Sequence, residues 1–579
     1  MSAKKIGVYI CQCGGNIGDY VDVDEVVAAV AKEPGVGVAK TAMFTCSDAT
    51  QSEIIADAQE QGLDGLVIAS CSPKLHTYTF RDVARRAGMN PFQYTQVNVR
   101  EQCSWTHTDD HEGATEKAVR LVRAGINRTR LTEPLEPIVV ETTPKTLVVG
   151  GGIAGLRAAL GLAEIGLAVF LVEKEPKLGG WVAGFGEMYP HGRNGAELIA
   201  KLEQKVRSHP GITVFTRAEL IAKSGSFGNY EVTVAIQGEQ LETISTVVGS
   251  IVIATGFDTY HPAEGELGYG LDGVITIADF KKLLDSTDGP LEYNGRPVNT
   301  VAYIYCVGSR QGEDVEGGNT YCSRYCCTAA VHAATMVADL PARVHQYHFY
   351  RDMRTYGKFE LLYAEAMEKG SAFVKFPDDE PPAVEKDAKT GGITLTARDL
   401  LSEGEEVALT ADLVVLVTGM VPRENEGLTK TLKLPVGQSG FYNEIHPKLR
   451  PVETVVDGAF ICGACQAPRT SSESVASGLA AVTQSAAILK RGFAELDPLV
   501  ATVDTDACTW CGACETTSPY DAIARESHDG KEIAVISRTS CKGCGGCVPV
   551  CPSDAIDLQG YTDAQIKSMI DGMLEVVCA

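Results

Sequence analysis

The sequence predicts a multidomain α/β protein, and three observations support that fold class. At 579 residues the chain is too long for a single hydrophobic core. Strand-like and helix-like segments alternate from the start of the chain, which indicates parallel sheets with helical crossovers. Seven of the 19 cysteines lie within residues 508–551, a density typical of a metal-binding domain.

Charge, hydropathy and cysteine distribution exclude several functional classes and indicate the compartment. The formal net charge of −24 argues against binding to nucleic acid, which requires a basic face. No apolar run reaches the roughly 18 residues needed to cross a bilayer. The start of the chain, MSAKKIGVYICQC, has no cleavage site for secretion. Bunched cysteines without a secretory leader indicate metal ligation and not disulfides, so we expect a protein of the reducing cytoplasm.

Residues 1–140 are predicted to form an α/β iron–sulfur domain. Its strands are KIGVYI, VGVAKTAMF, GLVIAS and QYTQVNV, and its helices are VDEVVAAVAK, SEIIADAQEQ and ATEKAVRLVRAGI. The carboxyl ends of parallel strands meet at one edge, where ligands collect. Cysteines stand at these ends, so the pattern predicts a [4Fe–4S] cluster with five candidates for four positions, and buried or redox-sensing thiols are the alternative. Cys11 and Cys13 share side-chain parity, and either could be spare among Cys11, Cys13, Cys46, Cys71 and Cys103.

A dinucleotide-binding turn opens the next region. Gly150-x-Gly152-x-x-Gly155 follows the strand TLVVG, and Glu173 ends the next strand, where a carboxylate can bind a ribose hydroxyl. The pair Gly179-Gly180 then resembles flavoproteins of the thioredoxin-reductase type, which predicts FAD in a two-subdomain region; a Gly-rich turn without a ligand is the alternative. The predicted FAD contacts are Gly150, Gly152, Ile153, Ala154, Gly155, Glu173, Lys174, Gly179, Gly180, Trp181, Ala254, Thr255, Gly256 and Gly463.

The FAD domain is predicted to comprise residues 141–265 and 425–495. In its closing strand, DGAFICGACQAP, Ala464 stands where flavoproteins of this type usually carry Asp. Cys462 and Cys465 lie in the same stretch; strand packing is the prediction for them, and a redox or ligand role is the alternative. The terminal Cys578 is expected to have no role.

Residues 266–424 are predicted to form a subdomain like the NAD domain of such enzymes, but without its phosphate cradle. The strand VAYIYCVGSR leads into cysteines and has no Gly-x-Gly-x-x-Gly turn, so direct reduction by NAD(P)H is not expected. The spacing predicts a [4Fe–4S] cluster, with zinc or plain packing as alternatives. Arg354 and Lys358 are expected to be solvated loop charges; stabilisation of a reduced flavin is their alternative role. The four predicted ligands are Cys306, Cys322, Cys326 and Cys327.

Residues 496–579 are predicted to be a two-cluster bacterial ferredoxin domain. The second loop, Cys541-x2-Cys544-x2-Cys547-x3-Cys551-Pro552, is complete, whereas the first loop has Cys508, Cys511 and Cys514 followed by Ser518 in the fourth place. In such domains each fourth residue ligates the other cluster. Ser518 is therefore expected to face the cluster of Cys541, Cys544 and Cys547, which is predicted to be [3Fe–4S] or a [4Fe–4S] with a serine ligand.

Taken together, the motifs resemble the A-type subunit of heterodisulfide reductase, the flavin subunit of methanogens and related anaerobes. The resemblance covers nearly the whole chain. It differs from some members in lacking a further ferredoxin insertion, because residues 258–300 contain no cysteine. The matching stretches are VYICQCGGNIGDYVDV, FTCSDAT, IASCSPKLHTYTF, NVREQCSW, VVGGGIAGLRAAL, EKEPKLGG, YIYCVGSR, YCSRYCC, YRDMRTYGK and GYTDAQIKSMI.

The resemblance implies flavin-based electron bifurcation or confurcation by one FAD and about four clusters. A two-electron donor would reduce FAD, with one electron passing to ferredoxin and the other to a disulfide of the CoM-S-S-CoB kind or another acceptor. The implied partners are B- and C-type subunits, a hydrogenase, formate dehydrogenase or NADH-oxidising module, and ferredoxin, with a homodimer inside a larger complex.

Two other functions remain open on the sequence. The chain could be a non-bifurcating electron-relay adapter, as in benzoyl-CoA reductase complexes, or a self-contained NAD(P)H oxidoreductase. A stable flavin semiquinone would favour the first, and bleaching of the flavin by NADH would favour the second. In each case the cofactors carry the chemistry, because no nucleophile–base constellation is present.

Overall fold

The structure, a computed structural model, describes residues 4–238, 240–387 and 391–574. Cys578 lies outside these residues. The chain divides into two compact units: one combines the segment up to Val140 with the segment from Glu495 onward, and the other is Glu141–Ala494. Within the described residues, no helix has both the length and the apolar character that a membrane crossing requires.

The N-terminal part of the first unit is a four-stranded sheet of order β2-β1-β3-β4, in which all pairs are parallel. The predicted strands and helices are present. One further helix, Pro73–Arg86, was missed because only Phe80, Val83 and Ala84 on one face are buried. The elements are β1 (Ile6–Cys11), α1 (Val23–Val30), β2 (Val36–Ala42), α2 (Asp48–Gln61), β3 (Gly65–Ser70), α3 (Pro73–Arg86), β4 (Tyr94–Asn98), α4 (His111–Arg130) and the connecting β5 (Ile138–Glu141).

The second unit begins with a parallel sheet of order β10-β7-β6-β14-β27 and an antiparallel sheet of order β11-β12-β13. The central strand β6 leads into the glycine turn, so the turn lies at the carboxyl edge of the sheet. The elements are β6 (Lys145–Val149), α5 (Ile153–Glu164), β7 (Ala168–Glu173), β8 (Glu187–Met188), β9 (Arg193–Asn194), α6 (Gly195–Ser208), β10 (Ile212–Thr216), β11 (Ala218–Ser226), β12 (Asn229–Gln237), β13 (Leu241–Val248), β14 (Ser250–Ile253) and β15 (Phe257–Thr259).

A second parallel sheet, of order β16-β25-β19-β20-β21, forms the other subdomain of this unit. The elements are β16 (Val274–Thr276), α7 (Ile277–Asp285), β17 (Glu292–Tyr293), β18 (Arg296–Pro297), β19 (Thr300–Val307), α8 (Cys326–Ala338), β20 (His345–Tyr350), α9 (Glu360–Glu368), β21 (Ala372–Lys375), β22 (Ala383–Lys386), β23 (Ile393–Asp399), β24 (Glu405–Ala411), β25 (Leu413–Thr418) and β26 (Met420–Pro422). The chain then returns to the first sheet through α10 (Glu426–Leu432), β27 (Ala459–Ile461), α11 (Ser471–Leu489) and β28 (Phe493–Leu496).

The ferredoxin-like tail packs on helix α4 of the N-terminal part, inside the first unit. Asn127 Nδ2 donates to the carbonyl of Ser568 at 3.2 Å, and Gln565 Nε2 donates to the carbonyl of Leu131 at 2.9 Å. Further along this contact, Gly572 lies so close to Ala124 that a Cβ on Gly572 would approach the Ala124 backbone nitrogen to 3.0 Å. The tail consists of β29 (Ala501–Val503), α12 (Ala513–Thr517), β30 (Ile523–His528), β31 (Lys531–Ile536), β32 (Ile556–Leu558) and α13 (Asp563–Leu574).

Candidate functional site

The glycine turn after β6 is shaped by close backbone approaches. Gly150 has φ +107°, and a Cβ there would lie 2.4 Å from the carbonyl oxygen of Ala254. At Gly155 a Cβ would lie 1.8 Å from the carbonyl oxygen of Gly150. Gly152 differs, because no atom lies within 4 Å of its Cβ position. The first and third glycines therefore close the turn, and the second leaves its face open for a pyrophosphate at the start of α5.

Glu173 ends β7 beside this turn with a buried carboxylate. One oxygen accepts from the Gly151 amide at 2.5 Å and the other from the Glu175 amide at 2.8 Å. The side chain is held in place at the mouth of the sheet. This is the position from which an acid binds the adenosine ribose of a dinucleotide.

A cavity of about 1700 Å³ opens from the glycine turn. Every predicted FAD contact lines it except Gly155, which packs inside the turn. Trp181, one of the lining residues, stacks on Phe257 with 5.8 Å between ring centroids and donates from Nε1 to the Phe257 carbonyl at 3.0 Å. Ala464 also lines the cavity and places a methyl group on its wall. The cavity fits a dinucleotide of the size of FAD.

The opposite wall of the cavity was not predicted from the sequence. It comes from α7 and α8 and includes Lys281, Ala329 and His332. His332 Nε2 lies 3.9 Å from Glu187 Oε1. Burial and, next, the charge of Lys281 lower the pKa of His332, so its imidazole is neutral at pH 7. No motif marks these residues, because they meet only when the two subdomains fold together.

The amino terminus of α11 forms a third part of the wall. Thr470, Ser471, Ser472 and Ser474 line the cavity. Thr470 and Glu473 form a capping box, in which each side chain accepts from the other residue's backbone amide. The partial positive charge of a helix amino terminus favours an anion nearby, and a reduced flavin is such an anion.

The four cysteines of the second subdomain converge at one edge of its sheet. Cys306 is the second-last residue of β19, with φ 62°, and Cys326 and Cys327 begin α8. Burial and the neighbouring Cys327 raise the pKa of Cys306 to about 11. Cys322 is close enough to act on the ionisation of Cys326, and its sulfur accepts from the Arg324 amide at 3.3 Å. Four thiols without a disulfide fit the ligand set of a [4Fe–4S] cluster.

Cationic side chains surround this group of thiols. Arg310 Nη1 lies 4.0 Å from Cys306 Sγ, and Arg310 also pairs with Asp352 at 2.9 Å. Arg354 lies 3.7 Å from Asp352 and is near Cys327. Neither Arg354 nor Lys358 is among the described residues that line the flavin cavity. Arg354 is thus positioned to act on the cysteine group and not on a flavin.

In the N-terminal domain the structure brings four of the five candidate cysteines together. Burial raises the pKa of Cys71 to about 11, and Cys13 and Cys11 act in the same direction. Burial likewise raises the pKa of Cys46, with Cys11 and Cys13 as neighbours. Parity does not relate Cys11 and Cys13, because β1 ends at Cys11 and Cys13 takes a left-handed conformation with φ 54°.

Cys103 stands apart from this group. Its buried thiol donates to the carbonyl of Ala114 at 3.1 Å, and the charged side chain beside it is Lys117. Arg100, which no sequence motif marks, donates from Nη1 to Cys13 Sγ at 3.3 Å. Its guanidinium is also stacked 4.6 Å from the Trp105 ring centroid. The geometry therefore favours Cys103 as the spare thiol.

The tail contains two groups of cysteines, as its spacing predicts. Cys511 and Cys508 both act on the ionisation of Cys514, and Cys541 and Cys544 act on that of Cys547. Backbone amides donate to two of the cysteine sulfurs, from Ala534 to Cys508 at 3.4 Å and from Ala555 to Cys551 at 3.2 Å. Ser518 lies with Cys541, Cys544 and Cys547 around one small cavity.

The remaining pair, Cys462 and Cys465, is buried in the FAD domain. The Cys465 thiol donates to the carbonyls of Cys462 at 3.1 Å and Ile253 at 3.5 Å. Cys462 belongs to the apolar core around α5. Across the described residues, no three His, Cys, Asp or Glu side chains form a site for a single metal ion; a four-iron cluster differs because each thiolate binds a different iron.

Two protein families match parts of the chain. Residues 144–301 match the pyridine nucleotide-disulphide oxidoreductase family, and residues 507–555 match the 4Fe-4S dicluster domain. Together they confirm the predicted fold class, FAD and [4Fe–4S] clusters. The thioredoxin reductases of T. acidophilum (TM-score 0.40, 15% identity) and Lactococcus lactis (TM-score 0.41, 18% identity) are similar structures, each covering 60% of this chain and 99% of its own.

Relatives in methanogens match almost the whole chain. An A-type iron-sulfur subunit of the CoB–CoM heterodisulfide reductase of Methanopyrus kandleri is 34% identical over 91% of this chain and 92% of its own length. The corresponding iron-sulfur subunit of Methanocaldococcus jannaschii is 34% identical over 99% of both chains. The A-type subunit of the H(2):CoB-CoM heterodisulfide,ferredoxin reductase of Methanothermobacter thermautotrophicus is 35% identical over 92% and 93%. These likenesses confirm an oxidoreductase, and the chain belongs to the family of A-type heterodisulfide reductase subunits.

Proposed function

We propose that this chain is the FAD and iron–sulfur subunit of a heterodisulfide-reductase-like complex and that electron pairs are divided at its flavin. The observation that carries the proposal is the position of α8. Its first residues, Cys326 and Cys327, belong to the cysteine group of the second subdomain, and its next turns, with Ala329 and His332, line the flavin cavity. A single helix would thus connect a cluster, a one-electron carrier, to the flavin, a two-electron carrier.

The second subdomain supports entry of electrons from a partner and not from a bound nicotinamide. At the end of β19, where a dinucleotide domain carries its phosphate turn, this chain carries Cys306 in a left-handed conformation. Three more cysteines follow: Cys322 before α8, and Cys326 and Cys327 in its first turn. The space used by a pyrophosphate in related domains is therefore used by cluster ligands.

Bound FAD supplies the exchange of one or two electrons, and this chain's residues set the conditions for it. The amino terminus of α11 places partial positive charge on the cavity. Neutral His332, with Glu187 3.9 Å away, is positioned to hold or move a proton at its Nε2. The glycine turn and Glu173 orient the adenosine half. A cluster held by the neighbouring cysteines would have its reduced form stabilised by the charges of Arg310 and Arg354.

The proposed ligands follow the four cysteine groups. One cluster takes Cys11, Cys13, Cys46 and Cys71, and another takes Cys306, Cys322, Cys326 and Cys327. The ferredoxin domain takes Cys508, Cys511, Cys514 and Cys551 for one cluster, with the rest of its cysteines for the other. Four one-electron carriers and one flavin in a single chain provide the means for two electrons to leave separately.

The names of relatives suggest donors and acceptors. They mention H(2) and ferredoxin in Methanothermobacter marburgensis, H(2)/formate in Methanococcus maripaludis, and Ferredoxin/F(420)H(2) in Methanosarcina acetivorans, each with the CoB–CoM heterodisulfide. We propose a two-electron donor module, ferredoxin and a disulfide-reducing B/C-type partner for this chain as well, with a homodimer at the centre of the complex.

A spectroelectrochemical titration of the FAD in the full chain tests this proposal. Division of electron pairs predicts crossed one-electron potentials, so that almost no semiquinone accumulates at any potential. A semiquinone that persists over a wide potential range contradicts it and supports a simple relay. Addition of NADH to the isolated chain is the second arm: we expect no bleaching, and rapid bleaching would restore the NAD(P)H oxidoreductase.

A further inference from the structure

Ser518 occupies the same structural position in the first ferredoxin loop as the ligand Cys551 in the second. Each is followed by proline. The Ala522 amide donates to Ser518 Oγ at 3.3 Å, and the Ala555 amide donates to Cys551 Sγ at 3.2 Å. In both loops the donor lies four residues after the acceptor.

The backbone that follows the two residues is also the same. Asp521 and Asp554, three residues after Ser518 and Cys551, are both left-handed, with φ 51° and φ 50°. A strand then begins five residues after each, β30 at Ile523 and β32 at Ile556. A non-glycine residue in this conformation is uncommon, so its presence at the same place in both loops shows two copies of one ligand loop.

Ser518 lies beside the cysteines of the second loop and not beside those of its own loop. A cavity of about 20 Å³ is lined by Ser518 together with Cys541, Cys544 and Cys547. Cys508, Cys511 and Cys514 do not line it among the described residues. Three thiols and one hydroxyl therefore surround a single small space.

We propose that Ser518 Oγ is the fourth ligand of the [4Fe–4S] cluster held by Cys541, Cys544 and Cys547. The hydroxyl proton passes to water as the Fe–O bond forms, and no electron is transferred in this step. The inference concerns the ferredoxin domain alone and does not depend on whether the flavin divides electron pairs.

An oxygen ligand gives this cluster properties that its neighbour lacks. An alkoxide is a harder donor than a thiolate and stabilises ferric iron more, so serine ligation would lower the reduction potential of this cluster relative to the same cluster with a fourth thiolate.

The test uses the full-length protein, reconstituted with iron and sulfide without oxygen, as wild type, Ser518→Cys and Ser518→Ala. We expect the cluster of Cys541, Cys544 and Cys547 to have four irons in wild type and Ser518→Cys, and to give a three-iron EPR signal in oxidised Ser518→Ala, while the other clusters stay unchanged. In Ser518→Cys the midpoint potential of this one cluster should rise. Mössbauer spectra of iron-57 samples should show one oxygen-bound iron in wild type that disappears in Ser518→Cys.

Cys551→Ser is the matched variant, because it places a serine at the corresponding position of the other loop. It should create a second oxygen-bound iron and lower the potential of the other cluster. A three-iron signal in wild type, or identical spectra and potentials for wild type and Ser518→Ala, would overturn the proposal. If Cys551→Ser takes up no cluster, the comparison of wild type with the two Ser518 variants still decides the question.

Discussion

Removal of the Arg100 guanidinium should lower the reduction potential of the N-terminal cluster. Arg100 Nη1 lies 3.3 Å from Cys13 Sγ, and the side chain is only 15% exposed. A cluster gains negative charge on reduction, so a nearby cation and an N–H···S bond favour the reduced state. Arg100→Gln removes the charge and leaves a side chain of similar reach.

The size of the effect follows from Coulomb's law. At an effective separation of about 6 Å and an effective dielectric constant of about 20, one charge contributes about 3 kcal/mol. For a one-electron couple this corresponds to roughly 120 mV. The Glu101 carboxylate lies 2.8 Å from the same guanidinium, and its negative charge offsets part of the effect of Arg100 on the reduction potential. We therefore expect a fall of about 50–100 mV.

The assay is an EPR-monitored redox titration of the full chain, with Cys71→Ala used to identify the cluster's signal by its loss. Arg100→Lys keeps the charge and should shift the potential by less than half as much. Arg123→Gln, which breaks an ion pair of 2.7 Å with Glu33 in the same domain, is the control and should leave the potential unchanged. An unchanged potential in Arg100→Gln would refute the reasoning.

Three further predictions concern the flavin site and the packing of the first unit. Gly152→Ala should fold normally but bind FAD at least about tenfold more weakly, whereas Gly155→Ala should lose both FAD binding and stability. Flavin content and thermal unfolding distinguish the two variants. Full flavin retention in Gly152→Ala would contradict the assigned turn. Burial acts to raise the pKa of Glu473, but the Thr470 amide and then Arg324 lower it below its usual value. The carboxylate therefore stabilises the start of α11 above about pH 4.3, and this stabilisation is lost as the pH falls through the lowered pKa of Glu473. Hydrogen exchange of α11, measured as a function of pH, should show the loss in wild type and not in Glu473→Gln. Arg128→Ala should destabilise the docking of α13 by about 2–4 kcal/mol, because this buried side chain donates to the Gly560 carbonyl at 2.7 Å and stacks 4.1 Å from the Tyr561 ring. Limited proteolysis of the tail measures this loss of docking. An unchanged rate of cleavage would argue against the predicted destabilisation.

The edges of parallel sheets explain which parts of the site the sequence predicts. Cys46 and Cys71 follow different strands, yet topology alone requires that they meet. Which thiol is spare depends on details beyond topology: the left-handed turn at Cys13 and the direction of the Cys103 side chain, which bonds to Ala114. Neither leaves a periodic pattern in the sequence.

Other features depend on contacts between segments that are distant in the chain. Lys281 and His332 reach the flavin cavity from two different helices. The sequence of a helix does not show which distant residues its side chains will contact. In the sequence Arg100 looks like an ordinary loop charge, because its contact with Cys13 forms only when β4 and the turn after β1 fold together. By contrast, the place of Ser518 beside Cys541 was predicted, because the loops resemble two-cluster ferredoxin loops, in which each fourth residue ligates the other cluster.

The docking of α13 on α4 also affects the order in which the protein matures on the ribosome. Asn127 and its partner Ser568 are separated by 441 residues, which take roughly 20 to 90 seconds to synthesise at about 5–20 residues per second. During that time the N-terminal domain has its sheet and its cysteines but not the cover of α4. A chain that is cut short before Gly560 keeps this face exposed to chaperones and proteases. The contact of α13 with α4 therefore forms only after the four cysteine groups described above have been synthesised.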